Sequence, residues 1–309
     1  MKPYLFAAAL SALTVQAVAL DARADWPSTG WGKLNVLRID LVGRDLNGVD
    51  LNGDALDGRF VESVELGDVT LSNGPMREVS LDETRFGGRD ARGKKAKQDD
   101  FVGAWFEANL DDGSTIPLQV TDIRRHPSMV HKDVWGYELW YPRAGDWAPL
   151  CGVDDDGQPL LAIPLAGRWN HEQGVPGGGD WIDDPTKFTF ACDGYVISKC
   201  VFGGYKPWGK VRGVKLAAHH QACTRALRAD YWGDGTPHTH DGMLINYYDK
   251  LGIRDDVDAW SVEAEWTESG ALCANQSRIG EVCVDSITLE ECGSFENGAL
   301  LVTELAPEA

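Results

Sequence analysis

Seven side chains between positions 216 and 241 have the types that chemistry uses: His219, His220, Asp230, Asp234, His238, His240 and Asp241. Imidazole and carboxylate groups together can hold zinc or another divalent transition metal and lower the pKa of a bound water for hydrolysis. In such a centre His238, His240 and Asp241 are the candidate metal ligands, and His219, His220, Asp230 and Asp234 are the candidates for a further ligand or a catalytic base. The His-x-His spacing on an irregular loop matches no established zinc pattern. Asp230 and Asp234 are equally suited to tying down a turn through side-chain to backbone hydrogen bonds, and His220 to a hydrogen-bonded place in the core. Cys223 adds another option. It has His219 and His220 nearby for nucleophilic chemistry, yet on an apolar stripe a disulfide or an inert buried thiol is the commoner outcome.

These residues need a helix and a loop to hold them. Leu216, His220, Cys223, Leu227 and Tyr231 recur at i, i+4, i+7, i+11 and i+15, one stripe of a 3.6-residue period, with Arg225 and Arg228 expected to point away. Gly233 and Gly235 are expected to stop the helix and open the loop. Around it the second half reads as β. The run 101–106 passes through Asp111, Asp112 and Gly113 into 116–123 as a hairpin. Further strands are expected at 134–141, 147–153, 160–165, 188–190, 195–202, 261–266, 280–285 and 300–305, while 243–248 and the turn 249–252 read as a short segment with Asn246 and Asp249 exposed. The acids at 154–156 lack the alternating oxygen ligands of a calcium loop and read as a solvated turn. The glycines of 174–179 are not followed by Gly-Lys-Ser/Thr, so they predict a flexible loop near the helix and not a phosphate cradle. Tyr205 and Trp208, if exposed beside a cleft, would suit stacking on sugar rings.

The first third has another period. Trp26, Trp31, Val36, Leu41, Leu46, Leu51, Leu56, Val61, Leu66, Leu71, Met76, Leu81 and Phe86 recur at every fifth position. A flat strand sends alternate members of such a series to opposite faces, whereas a coil with five residues per side turns all of them inward. The segment resembles the pentapeptide-repeat family, most clearly at Leu46-Asn47-Gly48 and Leu51-Asn52-Gly53. It departs from that family at Arg44, Asp54 and Arg59, where a small residue is expected. A twisted β-meander is the alternative.

A second resemblance covers about residues 100–305. His220-Gln221-Ala222-Cys223, Arg228-Ala229-Asp230-Tyr231 and Gly233-Asp234-Gly235 look like the signature of the bacterial ADYC domain family. Gly167-Arg168-Trp169-Asn170, Phe188-Thr189-Phe190-Ala191-Cys192, Gly204-Tyr205-Lys206-Pro207-Trp208 and Ala299-Leu300-Leu301 are similar in order and spacing. The cysteine that ends the family's namesake motif is Trp232 here. The resemblance implies a secreted context and supplies no activity.

Composition bounds the function classes. Positions 1–24 combine Lys2, an apolar run at 5–20 and Ala22-Arg23-Ala24, which reads as a secretory signal peptide too short for a membrane span. The formal net charge of −19 disfavours nucleic acid and anionic lipid as partners, because phosphate binding draws on clustered Lys and Arg. All seven cysteines lie beyond position 150. In an exported chain they are expected to pair and leave one over, with Cys192 and Cys200 close enough in sequence to be cross-strand partners. The resemblance to the ADYC family implies that position 232, where that family has a cysteine, is where the odd thiol's partner is missing. The expected fold is mainly β with one central helix (α+β). Its parts are a signal peptide at 1–24, a β-solenoid-like repeat segment at 25–87, a polar linker at 88–100 and a disulfide-stapled β-rich domain at 101–309. A periplasmic or extracellular module that binds an envelope polymer or protein partner is the first expectation. The alternative is a metal-dependent hydrolase of envelope or extracellular polymer acting through the 230–241 loop.

Overall fold

A computed structural model describes residues 44–46, 48–127, 131–257, 259–280, 284, 287 and 292–307. Six strands close on themselves, every pair antiparallel. The order is Trp135–Arg143, Ala162–Ala166, Lys187–Cys192, Val61–Glu65, Trp105–Leu110, Thr115–Arg125 and back to Trp135–Arg143. Alternation makes the wall. Along Trp105–Leu110, Phe106, Ala108 and Leu110 are buried while Glu107 is exposed, the period of two that a half-buried strand requires. Phe86 sits at the centre of the interior, with its ring centroid 5.1 to 5.4 Å from those of Phe101, Phe106, Tyr137 and Phe188. Removing such a ring would cost about 3–5 kcal/mol.

Lys187–Cys192 is buried on both faces because a second layer covers its outside. Phe188, Phe190 and Cys192 face the barrel interior, while Ala191 packs with Ile197, Val201 and Phe202 of the helix Val196–Phe202. The central helix Ala217–Arg228 lies next to that helix and is stapled to it by the Cys200–Cys223 disulfide. Beyond it stands a five-stranded antiparallel sheet in the order Arg44–Leu46, Leu244–Asp249, Leu301–Leu305, Ser261–Thr267, Gly270–Ala274. Cys151–Cys192 and Cys273–Cys292 complete three disulfides, which are at home in an oxidising compartment. Among the described residues, no helix is long and apolar enough to cross a membrane.

Several expectations change. Residues 196–202 form a helix where a strand was expected, so Cys192 and Cys200 are not cross-strand partners; each bonds a different cysteine. Among the described residues there are two longer helices, not one. The segment at 243–248 is a strand, Leu244–Asp249, in which Asn246 and Asp249 are buried and not exposed as expected, because they bond the chain around them. The seventh cysteine, Cys283, and most of the strand expected at 280–285 lie outside the described residues, as does the signal peptide. Over 48–87 the chain forms antiparallel strands and tight turns, not a coil. The eight members of the five-residue series from Leu51 to Phe86 are nonetheless buried or packed against buried residues. No two of them share one strand, so each intervening turn or bulge resets the alternation that a flat strand would have imposed. The members before Leu46 fall outside the description. The expected linker is also structured: 88–100 contains the end of strand Arg85–Arg89, the strand Lys95–Lys97 and most of a 3-10 turn, Gln98–Phe101. Because Val61–Glu65 is a barrel stave, no domain boundary separates it from the rest.

Candidate functional site

The central helix carries the expected stripe, with Leu216, His220, Cys223, Leu227 and Tyr231 all buried. Its opposite face is buried too. Arg225 and Arg228, expected to face water, are 1% and 4% exposed. Arg225 donates from Nη1 to the Gly178 carbonyl at 2.6 Å and to the Asp230 carboxylate, and from Nη2 to Asp180. Arg228 donates to the carbonyls of Val49 (2.8 Å) and Gly235 (2.7 Å), and burial pulls its guanidinium pKa down to about 10. The helix ends at Arg228, before the two glycines, with Ala229 in the left-handed region at φ 51°.

Asp230 follows at once. Its carboxylate accepts the backbone N–H groups of Asp234 (3.1 Å) and Gly235 (3.0 Å) besides Arg225, while burial pushes its pKa up. Asp234 accepts the Thr236 N–H at 2.9 Å. The Tyr231 hydroxyl donates to Glu263 at 2.6 Å and accepts the Arg278 N–H at 2.7 Å. Arg278 in turn pairs with Glu263 and donates to the last helical carbonyls, Ala226 (2.7 Å) and Leu227 (3.0 Å). The Asp and Tyr of the Ala-Asp-Tyr run thus hold the helix exit in place.

The remaining candidates are dispersed around this frame. His220 donates from Nε2 to the Ile197 carbonyl at 3.1 Å, and burial lowers its pKa to about 4. His219 stacks on Tyr205; its Nδ1 is buried without a hydrogen-bond partner, and burial lowers its pKa. His238 lies against the rings of Tyr231 and Trp232, with its pKa lowered by burial. His240 is exposed. Asp241 is exposed and accepts the Val49 N–H at 2.7 Å. Among the described residues, no three His, Cys, Asp or Glu side chains are gathered as metal ligands would be. Cys223 is committed to its disulfide.

A concave site lies one loop away. Arg168–Trp169 and Trp181–Ile182 form a short hairpin, with Arg168 opposite Ile182 and Trp169 opposite Trp181. Trp169 donates to the Gln221 side chain at 3.1 Å, and Gln221 donates to the Gly179 carbonyl at 2.8 Å, which fixes both hairpin and loop to the central helix. Asn170 braces the loop by donating to Gly177 O at 3.1 Å and accepting the Glu172 N–H at 3.0 Å. The glycine run then packs backbone to backbone on the 230–235 turn. A Cβ at Gly178 would stand 2.1 Å from Asp234 O, and one at Gly235 would stand 2.3 Å from Glu172 O. The run expected to be a flexible loop is thus a fitted part of the site.

Between this loop and the barrel is a pocket of about 460 Å³. Glu62, Asp111, Arg168, Asn170, His171 and Glu172 line it, with Ile182 as an apolar patch. Barrel pairing brings Glu62 and Asp111 to it, since Val61 stands opposite Leu110. Glu62 pairs with Arg168 at 2.5 Å, and Asp111 accepts the Phe60 N–H at 3.1 Å. Phe60 stacks on the His171 ring at 5.9 Å. The His171 Nε2 is buried with no hydrogen-bond partner, and burial, helped by Arg228, lowers the imidazole pKa to about 4. The ring is neutral at physiological pH. His171, Glu172, Glu62 and Asp111 were missed as site residues by sequence reasoning. The available signal was position: His171 directly follows Arg168-Trp169-Asn170 and precedes the glycine run.

The model of the ADYC domain matches residues 98–280, more than half of the chain. The chain belongs to the ADYC domain family. No curated protein and no solved structure matches it. The matched span includes the hairpin, the glycine run and the central helix of this ADYC protein, while Glu62 comes from a barrel strand that precedes it.

Proposed function

We propose that this ADYC protein is an exported binding module that takes a unit of an envelope or extracellular polymer into the pocket at His171. The observation that carries this is the pocket itself. It is a concavity of small-ligand size walled by polar side chains, of which Asn170 is tied to the glycine loop and Arg168 to Glu62, on a hairpin that Trp169 and Gln221 fix to the central helix. Preorganised side chains of this kind lower the entropy cost of association. The three disulfides suit an exported chain. Hydrolysis through the 230–241 loop has less support, since Asp230 and Asp234 accept backbone hydrogen bonds of their own turn.

The test uses the chain from residue 25, secreted into an oxidising compartment and mixed with insoluble envelope polymer and extracellular polysaccharide. Binding predicts co-sedimentation without release of soluble fragments. Fragment release that chelation abolishes and zinc restores would replace this function with metal-dependent hydrolysis. Neither retention nor release would overturn both.

A further inference from the structure

The walls of the pocket are mixed in hydrogen-bonding sense. Glu62, Asp111 and Glu172 can only accept when ionised, Arg168 can only donate, and Asn170 has both an amide oxygen and an amide nitrogen. A ligand group that donates and accepts at once is the best match to such a wall, and the hydroxyl is the simplest group that does both. Charge narrows the choice. Three carboxylates face one guanidinium, and that guanidinium is already engaged by Glu62. An anionic ligand would therefore meet uncompensated negative charge. A compact cation would suit the carboxylates, but an ammonium has donors only and could accept nothing from the N–H groups of Arg168 and Asn170.

His171 points the same way. A neutral imidazole has one donor and one acceptor nitrogen, and a hydroxyl satisfies either. Its orphaned Nε2 carries a desolvation cost that a hydrogen bond from a bound group would relieve. Phe60 fixes the plane of the ring from the side, and Ile182 offers an apolar patch suited to the C–H face of a sugar ring. We propose that the pocket lined by His171, Glu62, Asp111, Arg168 and Glu172 binds a neutral saccharide unit. This proposal rests on the binding function given above and specifies its ligand.

The experiment is saturation-transfer NMR on the whole chain with three sets of size-matched pyranoses. The neutral set is glucose, galactose, mannose, N-acetylglucosamine and their disaccharides; the anionic set is glucuronate and galacturonate; the cationic set is glucosamine and galactosamine. His171→Phe removes the nitrogens and keeps a ring, and Glu172→Gln removes a charge at an exposed position. The neutral set is expected to bind, and each variant to weaken it about tenfold, the loss of roughly one hydrogen bond to a charged or buried partner. Unchanged unfolding midpoints in Glu172→Gln would separate that loss from misfolding. Equal binding by wild type and both variants places the sugar elsewhere and overturns the proposal. Preference for the anionic or cationic set also overturns it, while leaving a binding module at this pocket. No binding in any set, with polymer still retained in the sedimentation test, overturns the saccharide and preserves polymer binding by another surface.

Discussion

Both carboxylate oxygens of Asp230 are used inside the protein, one on the Asp234 N–H and the other on Gly235 and Arg225. With Asp230 and Arg225 both essentially out of water, truncating the acid leaves a buried guanidinium short of a partner. Asp230→Ala is expected to lower stability by about 3–5 kcal/mol, the usual cost of breaking a buried pair from one side. Asp234→Ala removes one partly buried backbone tie and should cost about 1 kcal/mol. Urea unfolding of the two variants checks the ranking, and equal losses would refute the anchoring role of Asp230. The same residues show what was legible. The helical stripe and the special place of Asp230 were readable because periodicity and turn chemistry are local. Arg225 and Arg228 were misread because helical spacing says only that they oppose the stripe. Whether the opposite face meets water or a glycine loop and the 48–52 segment depends on chain far away in sequence.

Among the larger pieces, the segment 48–52 behaves as a strap across both helices. The carbonyls of Asp50 and Leu51 accept N–H groups at the start of helix Val196–Phe202, Val49 O accepts Arg228, and Val49 N–H reaches Asp241. The Asp50 carboxyl is held among Asp241 and Asp54, with Arg228 opposing them. Burial first, then the two neighbouring acids, raise its pKa from 3.8 to about 6. The folded chain therefore holds this proton more tightly than the unfolded one. The stability it contributes is fully present below about pH 3.8 and is lost as pH rises through about 6. Asp50→Asn should raise the melting temperature at pH 7 and lose that advantage by pH 4. Melting curves of both proteins between pH 4 and 7.5 give the answer, and a difference that does not change with pH would refute it. The strap was invisible in the sequence because its register of five suggested a coil. That register correctly marked inward residues, but turns and bulges, not solenoid corners, keep Leu51, Leu56 and Val61 facing inward.

For the molecule as a whole, the decisive feature is barrel closure, which joins residues far apart in sequence. Hairpins such as Trp105–Leu110 with Thr115–Arg125 were legible from their turn residues. The pairing of Val61–Glu65 with both Trp105–Leu110 and Lys187–Cys192 has no local signal. The expected boundary at 88–100 failed for that reason, and the pocket, which needs Glu62 beside Arg168, stayed hidden with it. A chain starting at residue 88 tests the point. It lacks the stave Val61–Glu65, the core rings and side chains of Val61, Val64 and Phe86, and the pocket acid Glu62. Two barrel strands would be left with unpaired edges, and deleting Phe86 alone costs about 3–5 kcal/mol, a large share of the roughly 5–15 kcal/mol that keeps a domain folded. Such a chain is expected to aggregate or to show collapsed, poorly dispersed NMR spectra. It should also form the Cys151–Cys192 bond inefficiently, since that bond links the barrel strand Lys187–Cys192 to the turn after residue 150. If residues 88–309 instead fold cooperatively, with all three disulfides and dispersed spectra, the first strands are an accessory to the barrel and not part of its wall.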